Sequence, residues 1–238
     1  MSSIDNIEFV LADSSLFIAE HVESESTQLV YLDPPFFSGK VHSQYNKNED
    51  KNISFNDQWR SRKEYLAFIK KVLILCKEKM KDTGLIFLHC DTYANHHLRL
   101  LLDEVFGEDQ FINEIIWAYK RWSNSSNKLL DSHQTIWVYS KTKHYNFKRI
   151  FSSYSLATNI DQILQQRERN EKGVVVYKRD ENNGIVSVEK KEGVPLRDVW
   201  EIPYLNPKAK ERVGYPTQKP IELLKRIIDI SCHCRQNT

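Results

Sequence analysis

Three short apolar runs in this chain each end in an aspartate: IEFVLAD (7–13), QLVYLD (28–33) and LIFLHCD (85–91). Runs of this length, bounded by polar residues and separated by helix-length stretches, are the pattern of parallel strands joined by crossover helices. The linking stretches fit that reading. SSLFIAEHV allows a short helix capped by Ser14 or Ser15. Between Arg62 and Lys81, Leu66, Ile69, Leu73, Cys76 and Met80 recur at three- and four-residue steps with lysines elsewhere, which predicts an amphipathic helix stopped by Asp82-Thr83-Gly84. A further helix is expected over about Thr92–Val105. INEIIWAY (112–119) and TIWVYSK (135–141) read as strands joined by a polar loop. From Phe147 to Val199 the pattern loosens, with a polar helix near Ile160–Arg169 and a hairpin of VVVYK and IVSVE turning at Asn183-Gly184. Finally PTQKPIELLKRIIDIS opens a helix whose inner positions are Leu223, Leu224, Ile227 and Ile228. The expected class is α/β: a parallel sheet with an insert over the looser region.

With 40% hydrophobic and 11% aromatic residues, the 238-residue chain has enough apolar surface for a core, which excludes global disorder. No apolar run approaches the ~20 residues of a membrane span, and MSSIDN lacks the charged-then-apolar layout of a signal peptide. Cys76, Cys90, Cys232 and Cys234 therefore read as reduced thiols of a cytoplasmic protein. The net charge of +2 conceals an asymmetry: from Trp117 to Lys191, fourteen basic residues face seven acidic ones, an excess of +7 against −5 elsewhere. A basic middle suits a polyanionic partner.

The corner after the second apolar run carries the most chemistry. A residue before proline is held extended, so Asp33 is fixed, and Pro34 and Pro35 offer carbonyls but no N–H donors. The result is a rigid cluster of acceptors beside the aromatic wall of Phe36 and Phe37. Its complement is a flat neutral molecule bearing an NH₂ group, such as a nucleobase with an exocyclic amine. Acceptors that draw the amine hydrogens out of plane make a poor nucleophile reactive, and a charge-assisted hydrogen bond contributes about 1.5–3 kcal/mol.

DPPFFSGK, TGLIFLHCD, FINEIIWAYKR, HQTIWVYSKT and ERVGYPTQKPIELLKRII follow one another in one order, within a likeness that runs from about Ile7 to Ile230. Together they resemble the amino-type DNA methyltransferases, which act on adenine N6 or cytosine N4. The closer likeness is to the β-ordered group, whose catalytic motif precedes the cofactor motif. The resemblance implies a Rossmann-like sheet that binds S-adenosylmethionine, with a catalytic core over 1–147, a target-recognition insert over 148–199 and a return to the core over 200–238. It places Asp33, Pro34, Pro35 and Phe36 in the catalytic motif. Thr217, Gln218, Lys219 and Pro220 match the motif that meets the methionine part of the cofactor. Asp13 matches an acidic position near its adenosine, and His89–Asp91 a strand end lining the site. Double-stranded DNA is the implied partner, with Lys120, Arg121, Trp122 and Lys128 as contact candidates. A DPPF motif points to adenine, with cytosine-N4 transfer as the alternative.

The family's glycine-rich turn of the form D-x-F-x-G-x-G is not found; no two of the seven glycines lie close enough. The resemblance therefore implies an incomplete sheet whose missing strands come from a second polypeptide or a homodimer partner, or else a non-catalytic DNA-binding remnant. The spacing of His89, Cys90, His96, His97, Cys232, His233 and Cys234 matches no zinc framework, so no metal is expected. No cysteine adjoins the Asp-Pro-Pro corner, which argues against a thiolate nucleophile.

Overall fold

The helix of three- and four-residue steps forms over Arg62–Lys79 (α2), capped by the Ser61 side chain on the Glu64 amide. It buries Tyr65, Ile69, Leu73 and Cys76. The computed structural model describes residues 7–39, 41–46, 51–120, 127–154, 159–188, 192–206, 209–215 and 217–231, with 41–46 and 51–56 as backbone only. Met80 begins β4 (Met80–Cys90) with no intervening turn, so Asp82-Thr83-Gly84 does not stop the helix but lies inside the strand. There β1 (Thr27–Leu32) pairs Thr27 with Met80 and Leu29 with Leu85, so the ladder skips several residues of β4. A Cβ at Gly84 would sit 2.9 Å from the Lys81 carbonyl and 3.2 Å from that of Thr27, so this close approach is what the glycine serves.

Two compact units make up the chain: 1–148 with 198–238, and 149–197. The first holds a five-stranded sheet in the order β1-β4-β6-β5-β11, where β5 is Phe111–Ala118, β6 His133–Ser140 and β11 Val199–Glu201. β1 and β4 run parallel, as do β5 and β11, but β6 is antiparallel to both its neighbours. The sheet is therefore mixed rather than parallel throughout. The polar link between β5 and β6 holds no crossover helix among its described residues, and a direct return can only pair strands antiparallel.

Side chains alternate across the sheet. Ile86, Leu88 and Cys90 of β4, with Trp137 and Tyr139 of β6, join one cluster with α2 and with Leu98, Leu101 and Leu102 of α3 (Asn95–Phe106). Leu85, Phe87 and His89 point to the other face. Helix α5 (Ile221–Ser231) packs against β1 and β4 and buries Leu223, Ile227 and Ile230. An antiparallel pair, β2 (Val41–Asn46) and β3 (Lys51–Asn56), projects between β1 and α2.

Residues 7–13 form no strand. Ile7, Phe9 and Leu11 are 65%, 93% and 105% exposed, and Asp13 instead caps α1 (Ser14–His21). An apolar run becomes a strand only when it pairs with a neighbour, and among the described residues 7–13 pair with none.

In the second unit β7 (Phe151–Ser152) pairs with β10 (Val194–Pro195). The expected helix is the single turn α4 (Ile160–Leu164), after which β8 (Arg167–Arg169) pairs with β9 (Val175–Tyr177). The Asn183-Gly184 turn is present, with Asn183 at φ 63°, but among the described residues its arms meet as an isolated Arg179–Ile185 bridge rather than a ladder. Among the described residues no helix is long and apolar enough to cross a membrane.

Candidate active site

Because β6 runs against β4 and β5, the carboxyl ends of β1, β4 and β5 and the amino end of β6 meet on one rim. Open α/β sheets present their ligand crevices at such a rim. β1 delivers Asp33 there, and the extended Asp-Pro-Pro segment leads on to Phe36. From the far end of the sequence, residues 217–220 enter α5 and carry Lys219 to the same place. Its ammonium lies 2.6 Å from Asp33 Oδ2 and 5.2 Å from the centre of the Phe36 ring. The two side chains of this ion pair are 10% and 25% exposed, Lys219 being the more buried. Lys219 also donates to the Thr217 carbonyl at 3.3 Å.

Beside this pair lies a polar chain centred on the buried His89. The Tyr31 hydroxyl is 2.7 Å from His89 Nδ1, and His89 Nε2 is 2.9 Å from Gln134 Oε1. With an amide oxygen on Nε2, that nitrogen carries the proton and Nδ1 accepts from Tyr31. Burial, reinforced by the Lys219 charge, holds the imidazole well below its ordinary pKa, so it is neutral at pH 7. Its ring lies 5.6 Å from those of Phe36 and Trp117. Asp33 Oδ1 stands 3.8 Å from Nδ1, beyond hydrogen-bond reach. Burial pushes the Asp33 carboxyl above the ordinary carboxylate range, and the Lys219 ammonium pulls it back.

Asp33, Phe36 and Lys219 thus come together, with Thr217 joined through its carbonyl. Pro34 and Pro35 are half-buried, and Pro220, at the start of α5, is buried. Gln218 turns instead to its own loop, donating to the Glu211 carbonyl at 2.7 Å and accepting from the Val213 amide at 2.9 Å. Asp13 accepts from the amides of Ser15 and Leu16 at the start of α1 and has no hydrogen bond to the Asp33 cluster among the described residues. Its carboxyl is lowered chiefly by the Ser15 hydroxyl.

Lys120 is exposed just beyond β5, and Lys128 is exposed and paired with Asp131 at 2.6 Å. Arg121 and Trp122 lie outside the described residues, as do Cys232, His233 and Cys234. Among the described residues no group of three or more His, Cys, Asp or Glu side chains converges to hold a metal. Cys76 and Cys90 are buried free thiols, Cys76 being pushed up to about 12 by burial.

The resemblance puts His89 at a strand end lining the site, and it does lie there, whereas nothing in the sequence marks Tyr31, Gln134 or Asp57. Asp57 is 1% exposed, and it grips the loop that follows Phe36. The three positions are scattered over a hundred residues, and nothing in their spacing marks them as neighbours.

A family model described as DNA methylase, of the N6/N4 type, matches residues 27–237. Among curated relatives, the type II methyltransferase M.EcaI of Enterobacter cloacae is 34% identical over 143 residues, 59% of this chain and 30% of that protein. The StyLTI Mod subunit of a type III restriction-modification enzyme from Salmonella typhimurium is 28% identical over 153 residues, 56% of this chain and 24% of that subunit. The chain thus aligns with only about a quarter to a third of these relatives' length. A solved structure, the cytosine-N4-specific PvuII DNA methyltransferase, superposes with a TM-score of 0.55 over 93% of this chain and 69% of its own, at 14% identity. That likeness shows a shared fold.

Proposed function

Since the chain belongs to the DNA methylase family of the N6/N4 type, we propose that it transfers a methyl group from S-adenosylmethionine to the N6 amine of an adenine flipped out of duplex DNA. The observation that carries this reading is the direct contact of Lys219 with Asp33, across 186 residues of sequence. It unites the expected cofactor segment with the acceptor corner.

The side chains present fit both ligands. Lys219, a largely buried ammonium beside the Thr217 carbonyl, would hold the cofactor carboxylate. When bound, the cofactor supplies an electrophilic methyl on a sulfonium. Asp33 Oδ1 accepts one amine N–H and the Pro34 carbonyl the other, which draws the nitrogen lone pair out of conjugation. Phe36 stacks on the base, contributing about 1–3 kcal/mol, comparable with the few kcal/mol that extruding a base costs. Transfer is then direct, through orientation and acceptor placement, with no covalent enzyme intermediate. The segment 148–199, into which the basic excess of 117–191 extends, is the target-recognition region, where phosphate contacts give affinity and individual side chains read base edges. The setting is cytoplasmic restriction–modification.

Strands from another polypeptide or a second copy pair with the open edge of β1. Support for this comes from the edge position of β1 and from the exposed Ile7, Phe9, Val10 and Leu11. A long apolar edge left uncovered invites such pairing.

The test is nucleoside mass spectrometry of duplex DNA incubated with the protein and methyl-labelled cofactor. N6-methyladenine is expected; N4-methylcytosine would replace adenine by cytosine as the target. Labelled DNA in neither form, together with no heat on titrating the cofactor into a folded sample, would reduce the chain to a DNA-binding remnant.

A further inference from the structure

We infer that Asp57 is the positioning residue that fixes the Asp33–Phe36 corner for methyl transfer, an inference that rests on the function proposed above. Its carboxylate takes the loop that follows the corner in both oxygens. Oδ1 accepts from the Phe37 amide at 3.0 Å and Oδ2 from the Ser38 amide at 2.7 Å. The Ser38 hydroxyl donates to Oδ2 at 2.6 Å and the Trp59 indole N–H to Oδ1 at 3.2 Å. The Asp57 carbonyl in turn accepts from the Gly39 amide at 3.2 Å. A carboxylate only 1% exposed is expensive to bury, and these donors are what compensate it.

The grip matters because of the backbone it holds. Phe37 adopts φ 61°, a left-handed conformation disfavoured for a bulky side chain. This reversal sends two adjacent phenylalanines to different places. Phe37 turns inward, 5.3 Å from the Tyr65 ring of α2. Phe36 stays at the rim, facing His89 and Lys219. Without a partner for the two amides, Phe37 relaxes toward negative φ and the Phe36 ring leaves the face where the base stacks. Asp57 itself touches neither Asp33 nor Phe36 among the described contacts, so it acts through the loop.

Asp57→Asn keeps the volume and one acceptor oxygen. Amide exchange at Phe37 and Ser38 should accelerate by about tenfold or more, while Ile86 and Leu88 of β4 keep their protection. Single-turnover methyl transfer should slow by about tenfold with KM for DNA within about twofold, since the interaction serves the reacting geometry rather than DNA binding. Adding Phe37→Gly, which tolerates the left-handed turn, should recover part of that rate. Should Asp57→Asn fail to fold, Ser38→Ala decides, with a smaller loss of the same kind expected. Wild-type transfer with unchanged rate and exchange in the variant overturns the role. So does equal loss of protection in β4, which would make Asp57 merely structural. A wild-type protein that methylates nothing, while Phe37 and Ser38 still lose protection in the variant, instead sinks the functional reading beneath it.

Discussion

Replacing Lys219 by methionine keeps the stem of the side chain and deletes one charge. The native ammonium sits 2.6 Å from Asp33, with side chains 10% and 25% exposed, so the pair is neither a surface bridge nor a fully buried one. Exposed pairs contribute up to about 1 kcal/mol, and stripping one partner from a buried pair costs about 3–5 kcal/mol. Partial solvent screening puts this pair between the two, at about 1–3 kcal/mol near neutral pH. For a chain of this size that is roughly 3–9 °C in Tm. The pH dependence has a definite sign. Burial raises the Asp33 carboxyl and Lys219 opposes the rise, so in the variant the carboxyl titrates higher still. Below the Asp33 pKa the carboxyl is protonated and there is no ion pair to lose. The variant's stability deficit is therefore full at alkaline pH and fades as pH falls through that pKa. Carboxyl-carbon NMR of Asp33 against pH, paired with calorimetric melting across the same range, reads both effects. An Asp33 that titrates at or below its wild-type position, or a Tm deficit independent of pH, would show that the two charges do not stabilise each other.

Other expectations are independent of that pair. Leu98 of α3, fully buried in the cluster that joins α2 and the sheet, should cost about 3–4 kcal/mol as Leu98→Ala, read by chemical denaturation; a loss below about 1 kcal/mol would mean that this cluster is loosely packed. Burial pushes Asp91, at the end of β4, up to about 6 from an ordinary 3.8. The folded chain therefore holds a proton that the unfolded chain has released, and stability falls as pH rises from about 4 to about 6. Asp91→Asn should melt higher than wild type at pH 7–8 and equally at acidic pH; the opposite order would contradict the burial effect. Gly193 has φ 145°, and a Cβ there would lie 2.4 Å from the Ser152 carbonyl. Gly193→Ala should expose the Leu196 amide, bonded to the Ile150 carbonyl, to rapid exchange while β4 amides stay protected.

Much of the architecture was legible because it is local. The Arg62–Lys79 helix follows from its three- and four-residue apolar steps, and β4, β5 and β6 from apolar runs bounded by polar loops. Strand direction is not written in a strand's own residues. The reversal of β6 was visible only in the polar, loop-like sequence of the link before it. Residues 7–13 have the composition of a buried strand, but pairing belongs to the neighbour as much as to the run. The corner was readable because two prolines constrain three residues whatever surrounds them. That Lys219 would meet Asp33 was not readable from spacing; only the resemblance joined the two segments. Tyr31, Gln134 and Asp57 stayed hidden because each is an ordinary polar residue in its own segment, and His89 was placed only through the resemblance. Their meaning comes from side-chain contacts on a rim that the sheet has to assemble first.

In the proposed reaction the Asp33 carboxylate grips the amine of the target base. Asp33→Ala is assayed for methyl transfer at saturating cofactor and for equilibrium DNA binding. Transfer should disappear while DNA affinity stays within about twofold, because the interaction forms only at the reacting amine. Methylation by the variant at the wild-type rate, or loss of DNA binding in step with activity, would contradict it.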